Sequence, residues 1–263
     1  MPEYVGHPVK DIKTWVDNCK WRMDPSTPQR MADIAETIEK TIPPYSDGLM
    51  TSQYVVGGYM YLRSLIGPVD LMLKFYDEPE LIHDCMETWL KLADFVLAEH
   101  QKRIDFDEIL FDEDICYNHG SLISPGMIEE FLLPYYSQLI TNCKRRQGDR
   151  GRRVHIYVAT DGYCDPVIPL YRGVGMDVMG PFEVASNCDV VETGRTYPDL
   201  VILGGMDKRV LALNKDAIDK MVDSIMPAMK ARGGYIPTCD HGVPEEVSFE
   251  NYIHFRKRLQ EYA

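Results

Sequence analysis

Short apolar runs alternate with longer amphipathic stretches along most of the chain. The runs are short and several are β-branched, which is typical of buried strands. They lie at residues 54–56, 108–111, 154–158, 177–179, 200–203 and 235–236. Between them, apolar residues recur at helical spacing, for example over 89–97 and over 128–139. Strand and helix in regular alternation predict parallel βα units and an α/β fold.

Residues 1–50 depart from this pattern. They are rich in proline and polar turn formers and predict one helix, from about Thr27 through Lys40. Beyond them we find no low-complexity linker and no internal repeat. We therefore expect an N-terminal extension with one helix over 1–50 and a single barrel domain over 51–263.

Composition excludes several classes of protein. The chain has 263 residues and a formal net charge of −13, and such a surface repels nucleic acid. No apolar run reaches the roughly 18–20 residues that span a bilayer, so we expect no membrane segment. The seven cysteines are dispersed without a CxxC pair, and the first residues do not resemble a signal peptide. These features predict reduced thiols and a cytoplasmic location.

Acidic side chains follow five successive predicted strands. They are Asp112, Glu113 and Asp114 after the second run, then Asp161, Glu183, Asp207 and Asp240. In a parallel α/β barrel these strand ends form one face, where active sites are built. For any single acid, helix capping is an equal explanation, but five together indicate a site. Their mutual repulsion requires compensation by Lys208 and Arg209 together with a metal ion, a cationic substrate or protonated carboxyls.

The same segments resemble a known family. The stretches 112–136, 160–162, 180–190, 204–212 and 233–251 are similar to the uroporphyrinogen decarboxylase superfamily, and most closely to its corrinoid-dependent methyltransferase branch. The resemblance implies a (β/α)8 TIM-barrel-like fold. Family members are longer, so we expect the first strand or strands to be missing or replaced, and a homodimer is one way to complete the barrel.

The resemblance also implies an activity. We expect a methyl group to pass from a small methylated substrate, of the ether, amine or betaine type, to a corrinoid carried by a separate protein. One alternative is decarboxylation of uroporphyrinogen, although an acidic mouth suits a substrate with eight carboxylates poorly. A catalytically inactive barrel that acts as a binding subunit is the other alternative.

Residue roles follow from the resemblance. The zinc-binding members carry a His-x-Cys pair and a later cysteine where this chain has Ala159, Asp161 and His241, so a rewritten zinc site is expected. Its expected ligands are Asp161, Glu183, His241 and Cys239. The expected catalytic residues, which bind or protonate the leaving oxygen or nitrogen, are Glu113, Asp161, Glu183 and His241. The expected substrate-binding residues are Tyr117, Asp207, Lys208 and Asp240.

Overall fold

The computed structural model describes residues 6–41 and 49–263. The chain divides into two compact units. The first comprises Met1–Glu113, Ile123–Ile156 and Gly173–Gly175, and the second comprises Asp114–Leu122, Tyr157–Arg172 and Met176–Ala263. Over the described ranges, no helix has both the length and the apolar character needed to cross a bilayer.

The first unit contains two parallel strands and most of the long helices. Strand β1 (Ser52–Val56) pairs in parallel with β2 (Glu108–Asp112). The helices that accompany them are α3 (Gly58–Ile66), α4 (Pro68–Asp77), α5 (Pro79–Gln101), α6 (Pro125–Phe131) and α7 (Leu133–Arg146). The pattern over 128–139 predicts one helix kinked at Pro134, and the structure instead separates α6 from α7 at Leu132. Proline lacks the amide hydrogen that a continuous helix would use, so the break falls there.

The N-terminal segment contains α1 (Ile12–Asn18) and α2 (Ile34–Thr41). The hydrophobic pattern predicts only the second of these, because α1 is short and is defined by a capping box at Asp11. Trp15 anchors α1: its ring is fully buried, and its indole N–H donates to Asp84 at 2.6 Å. The predicted boundary near residue 50 remains a prediction, since residues 42–48 lie outside the described residues.

The second unit contains a parallel sheet in sequential order. Four strands pair in the order β5 (His155–Ala159), β6 (Val178–Phe182), β7 (Val201–Met206) and β8 (Tyr235–Cys239). The first two residues of β5 belong to the first unit. The helices are α8 (Ile168–Gly173), α9 (Val190–Thr196), α10 (Lys208–Leu211), α11 (Lys215–Arg232) and α12 (Phe249–Gln260). Within β8, Pro237 lies opposite Gly204 of β7. The carboxyl ends of neighbouring strands are therefore adjacent, which places the loops after them side by side.

A small hairpin completes the second unit. Its strands are β3 (Cys116–Tyr117) and β4 (Gly120–Ser121), which pair antiparallel. Strands of two residues leave no periodic signal, so the sequence did not predict them. The six longer strands begin within two residues of the predicted apolar runs, and β6, β7 and β8 each end three residues beyond them. The predicted parallel α/β class is confirmed.

An ion pair in the first unit makes a prediction for the pH dependence of stability. The guanidinium of Arg152 donates to both oxygens of Asp107, at 2.6 and 2.7 Å, and the Thr51 amide donates at 2.7 Å. These hydrogen bonds, that of Arg152 first, lower the pKa of Asp107 to about 2. Because the folded state favours the ionised form, this stabilisation is complete above about pH 4 and is lost as the pH falls towards 2.

The expected result is that Asp107→Asn lowers the free energy of unfolding at neutral pH, and that the difference from wild type shrinks below about pH 4. Urea unfolding at a series of pH values measures it. A difference that stays constant down to pH 2 would contradict the assignment of Asp107 as the titrating group.

Candidate active site

A histidine and an aspartate meet where β8 and β5 end. The Nε2 atom of His241 lies 3.2 Å from Oδ2 of Asp161. Both side chains are about half exposed, 51% for His241 and 46% for Asp161. The structure therefore brings together two of the predicted site residues, although β6 and β7 lie between their strands in the sheet, and the pair is accessible to a small molecule.

The surroundings of Asp161 raise its pKa above the ordinary value. Burial is the largest cause that raises its pKa, and the carboxylates of Asp114 and Glu183 act in the same direction. The charge and hydrogen bond of His241 oppose them, and the net effect is a raised pKa. A carboxyl with a raised pKa beside an imidazole forms a pair that can hold a proton and pass it on.

Glu183, in contrast, is held as an anion. The ammonium group of Lys208 donates a hydrogen bond to Oε1 of Glu183 at 2.9 Å. The Ser186 hydroxyl and the Gly162 amide donate to Oε2 at 3.0 and 3.3 Å. Partial burial is the largest single effect and raises the pKa of Glu183, but these hydrogen bonds and the charge of Lys208 together lower it below its ordinary value. Glu183 and Lys208 thus form a neutral, fixed pair rather than a proton donor.

Asp240 connects the ends of β6, β7 and β8 through hydrogen bonds to the backbone. Its side chain is fully buried, Oδ2 accepts from the Val184 amide at 2.9 Å, and Oδ1 accepts from the Lys208 amide at 3.2 Å. Its own amide donates to the carbonyl of Met206 at 2.9 Å. Burial raises the pKa of this carboxyl, and the two amide hydrogen bonds oppose that rise. The contacts of Asp240 are with backbone amides, and they set the spacing of the loops that carry Glu183 and Lys208.

These contacts predict a stability effect. Asp240→Asn keeps one acceptor but turns an amide group towards the other backbone N–H, and we expect a loss of about 2 kcal/mol in the free energy of unfolding. The backbone amides of Val184 and Lys208 should also exchange hydrogen faster. Exposed Glu246→Gln is the matched control and should change neither quantity. Unchanged exchange at both amides in the Asp240 variant would show that the carboxyl does not hold them.

Asp207 and Cys239, two further predicted site residues, have structural partners. Asp207 caps α10, where it accepts from the amide of Arg209 at 2.9 Å and from its guanidinium at 2.8 Å. The hydrogen bond from the Arg209 side chain is the main reason that the pKa of Asp207 is lowered. Cys239 is buried in the core cluster with Met206, Leu211 and Phe255, and burial raises the pKa of its thiol. Their predicted roles at the site remain predictions.

The β3–β4 hairpin brings an aromatic side chain to the same loops. Tyr117 is 45% exposed, and its carbonyl accepts from the amide of Tyr163 at 2.8 Å. Gly162 lies under it with a φ of +77°, and a Cβ at this position would come within 2.7 Å of the Tyr117 carbonyl carbon. Only glycine allows the loop after β5 to come this close to the hairpin. A glycine directly after Asp161 is therefore the sequence feature that indicates this close packing. The predicted contact of Tyr117 with substrate remains a prediction.

Glu113 belongs to the first unit and is fully buried. The hydroxyl of Tyr136 donates to its Oε2, and the amide of Tyr59, at the start of α3, donates to Oε1 at 3.4 Å. The same hydroxyl accepts from the Gly58 amide at 2.7 Å. A Cβ on Gly57 would come within 1.9 Å of the carboxylate. These are the contacts of a structural carboxyl, and the predicted catalytic role of Glu113 remains a prediction.

Comparison with known proteins establishes the family. The family model described as "Uroporphyrinogen decarboxylase (URO-D)" matches residues 4–262. The chain belongs to this family. The sequence-based prediction of the family is thereby confirmed.

Curated members of the uroporphyrinogen decarboxylase family match at low identity. The protein named uroporphyrinogen decarboxylase from Geotalea uraniireducens is 26% identical over 135 residues, which are 51% of this chain and 37% of that protein. The one from Geobacter metallireducens is 28% identical over 138 residues, 51% of this chain and 37% of that protein. The one from Coxiella burnetii is 21% identical over 189 residues, 72% and 49% of the two chains. The chain spans less than half the length of these relatives.

A solved structure shows the same fold. The structure named "methyltransferase from Methanosarcina mazei" superimposes with a TM-score of 0.66 and 14% identity, covering 98% of this chain and 72% of that one. At this identity the likeness concerns the fold, a mostly parallel, TIM-barrel-like α/β arrangement. The fold predicted from the sequence is confirmed at that level.

The zinc site expected from the family resemblance is not assembled by the side chains as they stand. Glu183 is bound by Lys208, and Cys239 lies in the core, so Asp161 and His241 are the two remaining donors. Across the described parts of the chain, no three His, Cys, Asp or Glu side chains lie close enough to hold a metal ion. Zinc sites in proteins use at least three protein ligands. The donor set therefore does not fit the ion, and the steps below use no metal.

Proposed function

We propose that this member of the uroporphyrinogen decarboxylase family is a methyltransferase that moves a methyl group from a small methylated substrate to a corrinoid on a separate protein. The accessible His241–Asp161 pair is the observation that carries the proposal. It lies on the loops after β5 and β8, and in parallel α/β folds such loops build active sites. The structural neighbour from Methanosarcina mazei carries the name methyltransferase, which agrees with this choice.

The loops after β5, β6, β7 and β8, which carry Asp161, Glu183, Lys208 and Asp240-His241, form a loop cluster in which each part has a separate role. His241 faces the atom from which the methyl group departs and stabilises the charge that develops on it. Asp161 fixes the orientation of the imidazole through Nε2. The Glu183–Lys208 ion pair, whose backbone is held by Asp240, lines the site next to Asp161. The corrinoid, when bound, supplies the nucleophile, and this chain binds and activates the methyl donor.

Decarboxylation is the second candidate, because the curated relatives carry that name. The net charge of −13 repels a substrate with many carboxylates. We therefore propose methyl transfer ahead of decarboxylation.

One experiment separates the candidates. The purified chain is incubated with chemically reduced cobalamin and a panel of methyl ethers and methylammonium compounds, and methylcobalamin is measured by its absorption spectrum. A parallel sample receives uroporphyrinogen, and released carbon dioxide is measured. We expect methylcobalamin from at least one donor and no carbon dioxide. Release of carbon dioxide without formation of methylcobalamin would show a decarboxylase instead. The absence of both products would support the binding-subunit alternative.

A further inference from the structure

We infer that Cys164 and Cys188 are the site of a reversible disulfide, formed on exposure to a hydroperoxide, that cross-links the loops after β5 and β6. The inference goes beyond the proposed function and does not depend on it. It concerns two thiols that the proposed reaction does not use. Its support is the distance between the two sulfurs and the contacts that hold their loops.

The two thiols lie in contact inside the second unit. Their Sγ atoms are 3.9 Å apart, Cys164 is fully buried, and Cys188 is 4% exposed. All seven cysteines of the chain are free. A disulfide bond is about 2.05 Å long, so the two sulfurs have to approach each other by about 2 Å. A small local movement therefore converts this dithiol into a cross-link.

Contacts between the loops keep the sulfurs close together. The thiol of Cys188 donates to the carbonyl of Gly162 at 3.3 Å, and the Gly162 amide donates to Oε2 of Glu183 at 3.3 Å. The amide of Cys188 donates to the carbonyl of Glu183 at 3.3 Å, across a turn in which Asn187 has a φ of +65°. Both loops are thus in place before a bond forms, which reduces the entropy lost when it closes.

The proposed oxidation balances in two steps. A hydroperoxide transfers one oxygen atom to the first sulfur, which becomes a sulfenic acid, and the reduced hydroperoxide leaves as an alcohol, or as water if it was hydrogen peroxide. The second sulfur then bonds to the sulfenic sulfur. Water leaves, and it carries the sulfenic oxygen and the proton of the second thiol. A dithiol such as dithiothreitol restores both thiols by exchange and is itself oxidised to a cyclic disulfide.

The position of the pair favours the disulfide over further oxidation. Cys188 has the larger exposed fraction, so a small hydroperoxide reaches this sulfur first. A sulfenic acid formed there already has the Cys164 thiol beside it and condenses with it, which prevents the irreversible step to a sulfinic acid. Because Cys188 then gives up its hydrogen bond to Gly162, the cross-link also changes the backbone next to Asp161.

The test maps the disulfide directly. The purified chain, reduced and then freed of reductant, is treated with hydrogen peroxide, its remaining thiols are alkylated, and its peptides are identified by mass spectrometry. We expect the Cys164–Cys188 linkage to be roughly tenfold more abundant than any other pair and to disappear after dithiothreitol. It should be equally abundant in Cys143→Ala, which removes a buried thiol of α7, and absent in Cys188→Ala.

Oxidation of the chain unfolded in urea is the control for the fold. There the seven thiols should form a mixture of pairs, because nothing holds any two of them together. Recovery of Cys164 and Cys188 as alkylated thiols from the folded chain, or a mixture of pairs there, would overturn the inference. The same selective linkage in urea would also overturn it, because the native contacts would then not be its cause.

Hydrogen exchange measures what the cross-link does to the loops. The amide of Tyr163, next to Cys164, donates to the Tyr117 carbonyl at 2.8 Å. After oxidation of wild type we expect this amide to exchange severalfold more slowly, and the same treatment of Cys188→Ala should leave it unchanged. A disulfide that forms without slowing this exchange would overturn the inference that it constrains the loops. These measurements need no methyl donor, so their outcome is independent of the proposed function.

Discussion

Replacing His241 by alanine is expected to lower the rate of methyl transfer from the methylated substrate by about 10²- to 10⁴-fold. The fold should remain intact, because the side chain is half exposed and its contact is with Asp161. Exposed pairs of this kind contribute roughly 0–1 kcal/mol to the free energy of unfolding. Initial rates of methylcobalamin formation and thermal unfolding of the same preparation measure the two quantities.

The control for this variant is Cys239→Ser, two residues away. The thiol packs in the core of the second unit, so a hydroxyl there should lower the free energy of unfolding by about 1–3 kcal/mol while the folded fraction keeps its activity. The two variants should thus show opposite profiles. An active His241→Ala enzyme, or one inactive only because it unfolds, would remove this histidine from the reaction.

The second large effect concerns Glu113, and we expect Glu113→Ala to lower the free energy of unfolding by about 3 kcal/mol or more. The substitution leaves the Tyr136 hydroxyl and the Tyr59 amide without their buried acceptor, and each unsatisfied group costs about 1–3 kcal/mol. Burial, followed by the charge of Glu113, keeps the pKa of Tyr136 well above its ordinary value, so the phenol stays a donor. Urea unfolding at neutral pH measures the loss.

Asp112→Ala provides the comparison at the neighbouring position. Asp112 is partly exposed and accepts from the Tyr54 hydroxyl at 2.5 Å, so its removal should cost less than about 1.5 kcal/mol. If Glu113→Ala kept its stability and lost methyl transfer, the result would support the sequence-based prediction that Glu113 is catalytic and contradict its structural role.

The strands and their parallel arrangement could be predicted because they depend on local pattern. The run 200–203 is apolar at every position and the run 154–158 at every position except His155, and such runs alternate with stretches of helical period. The proximity of Asp161 and His241 followed from the predicted barrel, in which the carboxyl ends of all the strands form one face, although β6 and β7 lie between β5 and β8 in the sheet. No contact between distant residues had to be known in advance.

The direction of individual side chains could not be predicted in this way. In the run Asp112-Glu113-Asp114, three adjacent acids look equivalent, yet Asp112 bonds Tyr54, Glu113 is buried against Tyr136, and Asp114 has a φ of +45°. The partner of Glu113 lies 23 residues further along on α7. The structural role of Asp240 depends on its burial and on its hydrogen bonds with two backbone amides. Neither can be recognised from the sequence.

Pro237, in the middle of β8, has a consequence for association between molecules. The carbonyl of Gly234 accepts from the amide of Ile202, so in this parallel pairing the even-numbered residues of β8 direct their backbone groups towards β7. Position 237 therefore faces the opposite side, and a proline there has no amide hydrogen to offer. Among the described strands β8 pairs with β7 alone, and a strand of another molecule that added to the other side of β8 would lack the hydrogen bond from position 237, which disfavours such pairing.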